Sequence, residues 1–506
     1  MDQENGWNAM NCLQLLWICI SLTGQIQASQ KPPETPPAQP SRQTFEGLQL
    51  LLQGDRQADD GNINQAQITY QAAMEKLLPN IRHKPFKHTV KRDETRREKL
   101  GQVLVEEWEK EVTPKEFQLD EATWKVMDLI PQESNLKSAY IQLLTEEVAA
   151  FYDPKTKTMH LIREPENKDR EKPKKPASLL DMLMGQKDGF DKQETQGVIA
   201  HELTHALDDQ HFDLDAISNA VKDDDDAALA VSSLFEGEAT LTMMAVQQGD
   251  WTGSQIVATP AEGLNRVMRL LSPLMPMAGG ETARKSPPVM NESLIFPYLQ
   301  GVVFCASLTN KGGWDALNQA YENPPISTEQ ILHPEKYQGP KSDWPIAIQV
   351  SPMQSPEGFN ILGNSVIGEL TTRILLGRFG GRNAAAGWGG DTLTVLQSKT
   401  DSKKLACAWM TTWDSIQDAR EFTAGIAQRW ATKTDQDSAP TKPIQGDVKI
   451  KSESLHIELR GKDVLVIRGL DPKTSQSFSD FIWPNVRKTP KTFRWPAARA
   501  KSRPNP

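Results

Sequence analysis

The chain has 506 residues, of which 38% are hydrophobic, and this length allows two or three domains with a sizeable buried core. A charged fraction of 24% and a net charge of −9 describe an acidic protein without a basic stripe. These values argue against nucleic acid as a partner and against a general affinity for anionic lipid.

The segment 1–28 is predicted to be a secretory signal peptide. Its apolar run "CLQLLWICISL" ends before polar residues and Ala28, a small residue suited to cleavage. The run is short for a membrane span, and Asp2 and Glu4 stand where a positive charge is expected. We therefore expect an exported protein, periplasmic or extracellular, with no stable membrane span after signal cleavage. A membrane-anchored protein with an uncleaved signal is the alternative.

A Pro-rich linker, 29–44, precedes an N-terminal helical region, 45–140. In "FEGLQLLLQGDRQADDGNINQAQITYQAAMEKLL" the apolar residues have helical spacing on both sides of "DDGN", which predicts a helix hairpin. Two more amphipathic helices are predicted for "TRREKLGQVLVEEWEKE" and "DEATWKVMDLI". An inhibitory propeptide is one interpretation of this region.

The predicted catalytic core, 141–383, opens with a β-hairpin. In "EEVAAFYDPKTKTMHLI" two apolar stretches flank the turn-forming "DPKTK". A charged surface insertion over 163–193 separates this hairpin from the next helix.

The segment "HELTH" lies in an amphipathic helical pattern, "ETQGVIAHELTHALDDQHF". His201 and His205 are four residues apart and therefore share one face of the helix. Two neutral imidazoles so placed can bind one zinc ion, and Glu202 then stands where the general base of a hydrolytic site belongs. The alternative is a helix that carries two histidines by coincidence.

A hydrolytic zinc site needs a third protein ligand, and Glu236 in "FEGEAT" is the preferred candidate. The surrounding pattern is apolar and helical, so a buried carboxylate there calls for a cation. Glu238 is the rival. Glu236 is preferred because Thr240 would share its face and support a ligand histidine, although a solvated helix start also fits the pattern.

Three more residues are candidates for the site. His333, in "NPPISTEQILHPEKY", is a candidate donor to the oxyanion of a tetrahedral intermediate. Tyr152 and Tyr337 are candidates for substrate contact. Upstream of His333, "FPYLQGVVFCASLTNKGGWDALNQAY" predicts a helix, a Gly-Gly break and a short second helix. Cys305 and Cys407 either pair in an oxidising compartment or remain buried thiols.

A small α+β unit is predicted for 384–484, because strands and one helix follow in the order β-β-α-β-β. The tail, 485–506, is rich in Pro, Lys and Arg and is predicted to be disordered. The whole chain is thus predicted to be α+β and predominantly helical.

The HELTH helix followed by a Glu-bearing helix resembles the gluzincin, thermolysin-like branch of the zincin metallopeptidases. The resemblance implies His201, His205 and Glu236 as ligands of one zinc ion per chain, and Glu202 as base. In that family an edge strand before the active-site helix pairs with the extended substrate, and the predicted hairpin has the matching place. The family's "NExxxD" is "FEGEAT" here, so the carboxylate that would orient a ligand histidine is replaced by Thr240 or supplied elsewhere.

The chain is also similar to a group of exported bacterial zinc metallopeptidases over about residues 140–425. The shared strings include "FYDPKTKT", "HELTHALDDQHFDL", "FEGEAT", "FPYLQG" and "AAAGWGGDTL". The expected function is zinc-dependent hydrolysis of peptide bonds, with a peptide or protein as substrate. A catalytically silent zincin fold that binds other proteins is the alternative, and the intact Glu202 argues against it.

Overall fold

The computed structural model describes residues 41–147, 150–163, 191–271, 281–430 and 446–496. The signal-like segment, nearly all of the Pro-rich linker and most of the charged insertion lie outside the described residues. Within this part of the chain the fold is α+β and predominantly helical, as predicted.

The elements up to residue 163 are α1 Arg42–Asp59, α2 Ile63–Arg82, β1 Lys91–Arg96, α3 Arg97–Glu111, α4 Pro114–Val126, α5 Leu136–Glu147, β2 Ala150–Asp153 and β3 Thr158–Arg163. The central elements are α6 Lys192–Phe212, α7 Leu214–Val221, α8 Asp225–Gln247, α9 Ser254–Val257, α10 Ala261–Leu271, α11 Glu281–Lys285, α12 Pro288–Glu322, α13 Thr328–Leu332 and α14 Pro334–Tyr337. The remaining elements are β4 Ile346–Val350, β5 Phe359–Ser365, α15 Gly368–Leu376, α16 Gly381–Ala385, β6 Trp388–Ser398, β7 Leu405–Trp413, α17 Ile416–Trp430, β8 Val448–Lys451, β9 Leu455–Arg460, β10 Asp463–Arg468, α18 Pro472–Asn485 and β11 Val486–Pro490.

The predicted helix hairpin is confirmed as α1 and α2, which are joined by a turn at Asp60–Asn62. The buried face of α2 carries Tyr70, Met74, Leu77 and Ile81. These side chains belong to the same hydrophobic core as α6, α8 and α12. The N-terminal hairpin therefore shares its apolar contacts with the helices that carry the candidate ligands.

The predicted β-hairpin is also confirmed, since β2 and β3 pair antiparallel. The strand β1 was not predicted. It pairs parallel with β3 and completes a three-stranded sheet in the order β1-β3-β2. Its sequence, "KRDETR", has no apolar alternation, so only the tertiary pairing defines it as a strand.

The centre of the first core is a close crossing of α8 and α12 at Gly237 and Gly301. A Cβ atom on Gly237 would lie 2.2 Å from the Gly301 carbonyl carbon, so neither position accepts a side chain. The predicted Gly-Gly break is present in α12, because Gly312 and Gly313 leave the helical conformation. This break turns the last part of α12, which starts at Trp314, back toward the core.

Three consecutive aspartates anchor the N-terminus of α8. Asp224 caps the helix by accepting from the Ala227 N–H, and carboxylates favour this end of a helix dipole. Each aspartate also bonds to a distant segment, with partners as follows: Asp224 to Lys491, Asp225 to Ser365 and Asp226 to Thr328. The acidic run therefore fixes α8 against three separate parts of the chain.

A six-stranded antiparallel sheet, β5-β6-β7-β10-β9-β8, forms the predicted α+β unit with α17 on one face. Its first strand starts at Phe359, before the predicted boundary at 384. The helices α4 and α5 pack on the same face as α17, and α18 and β4 contribute to a third core on the opposite face. The segment 45–140 thus contributes to two of the three cores.

The C-terminal tail differs from the prediction of disorder. The strand β11 pairs antiparallel with β4, and Lys491 is buried with its ammonium 2.7 Å from an oxygen of Asp224. Composition alone predicted disorder, whereas the pairing partner lies far away in sequence. Residues 497–506 lie outside the described residues.

Cys305 and Cys407 are free thiols buried in separate cores, which corresponds to the second of the two interpretations. Burial raises the pKa of the Cys407 thiol to about 12. Within the described residues, α12 alone has the length and apolar composition of a membrane span, and about two thirds of its apolar window is buried inside the protein.

Candidate metal centre

The histidines of HELTH and the glutamate of α8 meet in space. The distances that connect their ligand atoms are 3.0 Å for His201 Nε2 to Glu236 Oε2, 3.1 Å for His201 Nε2 to His205 Nε2, and 3.4 Å for His205 Nε2 to Glu236 Oε2. Among the described residues this is the only group of three or more such side chains whose ligand atoms converge.

These distances of 3.0–3.4 Å are within about 0.3 Å of those between the ligands of a zinc ion. Zinc binds imidazole nitrogen and carboxylate oxygen at about 2.0–2.2 Å, so the edges of its tetrahedron are about 3.3–3.5 Å long. The three side chains are 7–22% exposed, so solvent reaches part of the cluster. Two histidines and one carboxylate are the protein ligands of many hydrolytic zinc sites, whereas structural sites are usually closed by a fourth protein ligand.

The histidines and the glutamate of this group shift one another's pKa values. Burial alone would lower the pKa of His205, but the Glu236 carboxylate outweighs it and raises this pKa to about 9. Burial alone would raise the pKa of Glu236, and the two histidines hold it well below its usual range. The carboxylate therefore stays ionised, which is the form that binds a metal.

Glu202 lies beside the ligands on α6 and is 8% exposed. Burial raises the pKa of its carboxyl group, while His201, His205 and the backbone N–H of Tyr152 oppose the shift. A raised pKa makes the carboxylate a stronger base, which suits a general base in catalysis. The contact with Tyr152 also places β2 next to this carboxylate.

Glu238 points away from the ligand group. It is fully buried and forms an ion pair with Arg82 of α2. Of the two glutamates, only Glu236 lies against the histidines, so the geometry favours Glu236 as the third ligand. Thr240 does not support a histidine here. Neither its Oγ1 nor His201 Nδ1 has a hydrogen-bond partner among the described residues.

Tyr298 is a site residue that the sequence analysis missed. Its ring stacks on His201, with centroids 6.0 Å apart, and its hydroxyl donates to the Glu236 carboxylate. Burial, together with the charges of Glu236 and Glu202, raises the pKa of Tyr298 well above 10, so the hydroxyl keeps its proton. Tyr298 lies one turn before Gly301, and the glycine crossing brings it to the ligands. Its string "FPYLQG" predicts a helix, but nothing in this pattern indicates that the tyrosine lies at a metal site.

His333 is not in contact with the ligand group. Its Nε2 lies 3.0 Å from Glu369 Oε1, and its side chain is about one third exposed. Burial alone would lower the pKa of His333, but the Glu369 carboxylate raises it. The carboxylate orients the ring in the manner that a catalytic histidine needs, yet no described contact joins it to His201, His205 or Glu236. Its catalytic role stays a prediction.

The two tyrosines predicted to contact substrate have other partners. The Tyr152 hydroxyl donates to Asp209 of α6 at 2.7 Å, so the backbone of Tyr152, rather than its side chain, faces Glu202. Tyr337 is 5% exposed, packs against Phe304 and donates to the Asn323 carbonyl. The structure therefore places Tyr337 in the core, away from the open side of the ligands.

β2 is an edge strand. It pairs with β3 on one side, and no strand within the described ranges pairs with its other side. β2 also packs against α6, which carries Glu202. An extended peptide added to this edge would run alongside the ligand group.

Residues 359–478 match a family model described as a domain of unknown function, DUF8575. The matched segment begins at the first residue of β5 and ends within α18, so it corresponds to the six-stranded sheet and its helices. No curated protein and no solved structure matches the chain.

Proposed function

We propose that the chain is a zinc-dependent metallopeptidase that hydrolyses peptide bonds in extended peptide or protein substrates. The convergence of His201, His205 and Glu236, with ligand atoms 3.0–3.4 Å apart, carries this proposal. The donor set, its partial exposure and an adjacent buried Glu202 are features that a hydrolytic zinc site requires. The resemblance of "HELTH" and "FEGEAT" to the gluzincins supports the same conclusion.

Zinc, when bound by these three residues, supplies a Lewis acid that polarises the scissile carbonyl and activates water. Glu202 accepts the proton of the attacking water at its carboxylate and passes it to the leaving amine. Tyr298 keeps its hydroxyl proton, and a turn of this hydroxyl from Glu236 to the oxyanion would make it a rival to His333 as the donor. The unpaired edge of β2 holds the substrate in an extended conformation next to Glu202.

The site of action belongs to the same proposal. The signal-like segment and the resemblance to exported bacterial peptidases favour a periplasmic or extracellular enzyme, or a membrane-anchored one if the signal is retained. Both described thiols are buried and free, so the fold does not depend on a disulfide between them in an oxidising compartment.

Metal content is the deciding measurement. Elemental mass spectrometry of the purified chain is expected to give about one zinc per chain. His201→Ala and Glu236→Ala should lose it, whereas Asp215→Asn on α7 is a control that should keep it. Absence of zinc from the reconstituted wild-type chain would refute the proposal.

A catalytically silent zincin fold that binds proteins is the second candidate. Stoichiometric zinc without cleavage of any unfolded protein substrate would favour this candidate.

A further inference from the structure

Arg82 is the last residue of α2 and contacts both helices that carry the candidate ligands. Its Nη2 lies 3.5 Å from Asp208 Oδ1 on α6 and forms an ion pair with Glu238 on α8. The three side chains are at most 2% exposed. Charged groups this deeply buried are tolerated only when they are paired.

Each of the two carboxylates lies close in sequence to a candidate ligand. Asp208 follows His205 by three residues and lies one turn along α6. Glu238 follows Glu236 by two residues on α8. One guanidinium therefore joins the helical turns from which a histidine ligand and the carboxylate ligand project.

The same cation also contacts α12. Its guanidinium lies 4.0 Å from the centre of the Trp314 ring and 3.5 Å from Asn318 Oδ1. A second cation of the N-terminal hairpin, Lys84, lies 4.0 Å from Asp208. Two cations at the end of the hairpin, Arg82 and Lys84, thus face Asp208, and Arg82 also pairs with Glu238.

We infer that Arg82 is a positioning residue for the metal centre. It sets the separation of α6 and α8, and with it the distance between the histidine pair and Glu236. The N-terminal hairpin is then a permanent part of the enzyme and not a removable propeptide. This inference rests on the proposed zinc site.

The physical reason is the shape and charge of the guanidinium. The Nη2 of Arg82 reaches Asp208, Glu238 and Asn318, while its flat guanidinium lies over the Trp314 ring, and a flexible ammonium group does not reproduce this combination. Groups that support metal ligands from outside the coordination sphere commonly change metal affinity by about 10- to 100-fold when they are replaced. Arg82 acts through the backbone of two helices, so its effect on the ion is geometric.

The test uses the full-length chain with Arg82→Lys as the decisive variant, because it keeps the buried charge and removes the planar guanidinium. Arg82→Met would leave two buried carboxylates without their cation and serves as the harsher comparison. Lys76→Met is the matched control, since Lys76 lies on the same helix but pairs with Glu46 at the surface. Zinc affinity is measured by competition with a chromophoric chelator, and ligand geometry by the visible absorption of the Co²⁺-substituted protein.

Arg82→Lys is expected to keep the wild-type circular dichroism, to bind zinc about tenfold more weakly or worse, and to alter the Co²⁺ spectrum. Lys76→Met is expected to match wild type in all three. Wild-type affinity and an unchanged Co²⁺ spectrum in Arg82→Lys would overturn the inference and leave the zinc site standing. A wild-type chain that binds neither ion would instead refute the proposed function. An active protein that lacks α1 and α2 after proteolysis would also overturn the inference.

Discussion

The Tyr152 hydroxyl donates a hydrogen bond to Asp209 Oδ2 at 2.7 Å, which ties the edge strand β2 to the helix of the two histidines. Lys157, at the turn of the same hairpin, reaches this carboxylate at 2.8 Å. Asp209 is buried and also accepts from the Leu214 N–H. The Asp209 carboxylate therefore fixes β2, the strand proposed to bind substrate, relative to Glu202.

Asp209→Asn is expected to loosen substrate binding without removing the metal. The amide can still accept from Tyr152, but the ion pair with Lys157 is lost. We expect KM for a peptide substrate to rise about three- to tenfold, with kcat within about twofold and zinc unchanged. Steady-state kinetics with Asp215→Asn as control measure this. An unchanged KM would show that the bonds of Asp209 to Tyr152 and Lys157 do not help to position the substrate.

Glu202→Gln should keep the zinc and stop the reaction. Glutamine has the size of glutamate but cannot accept the proton of water, so turnover should fall by about 10²–10⁴-fold. Zinc content and cleavage of an unfolded protein are measured on the same preparation. Full activity in this variant would reject the mechanism.

Tyr298→Phe tests which residue donates to the oxyanion. Loss of the hydroxyl is expected to lower kcat about a hundredfold with KM little changed, because the donor matters most in the transition state. His333→Ala is measured beside it. A loss below about tenfold in His333→Ala rejects His333 for this role, and a similarly small loss in Tyr298→Phe rejects Tyr298.

Gly237→Ala should destabilise the core and the site together. The added methyl group would meet the Gly301 backbone, so α8 and α12 must separate. A loss of about 1–3 kcal/mol in the free energy of unfolding is expected from overpacking, seen as a lower Tm. Gly101→Ala in α3 is the control, since the nearest atom to its new Cβ would be 3.3 Å away. Equal Tm values for the two variants would contradict the close crossing.

The stability of the fold should depend on pH through Asp226. Burial raises the pKa of Asp226 to about 7, with the Lys491 charge opposing the shift, against an ordinary value of 3.8. The folded state thus favours the protonated form of Asp226. The resulting contribution to the free energy of unfolding is fully present below about pH 4 and is lost as the pH rises through 7.

Asp226→Asn should remove this dependence and keep an acceptor for Thr328. We therefore expect the difference in Tm, variant minus wild type, to be larger at pH 8 than at pH 5. The increase corresponds to a few kcal/mol at most, on the order of the linkage energy, in the free energy of unfolding. Calorimetry at the two pH values measures it. A difference in Tm that is the same at both would contradict the raised pKa.

The parts of the fold that could be predicted were those written in local patterns. Helical spacing defined α1, α2 and α6, and turn residues defined the β2–β3 hairpin and the break in α12. The charged strand β1 and the tail strand β11 have no such pattern, because each is a strand only through a distant partner.

The same distinction holds within the site. The four-residue spacing of His201 and His205 is a local signal, and so is the position of Glu202 between them. Periodicity alone could not separate Glu236 from Glu238, since both lie on one buried helix. Arg82, from a helix far upstream, occupies the side of α8 that Glu238 faces. Tyr298 reaches the ligands only through the glycine crossing, which no local pattern reveals.

The bond between Lys491 and Asp224 implies an order of assembly during biosynthesis. Lys491 leaves the ribosome 267 residues after the aspartate that caps α8. Until then, the helix that carries Glu236 lacks one of its three anchors, and contacts of such long sequence separation form late in folding. The nascent chain can build its helices during translation, but the three anchors of the helix that carries Glu236 are complete only after Lys491 has been synthesised.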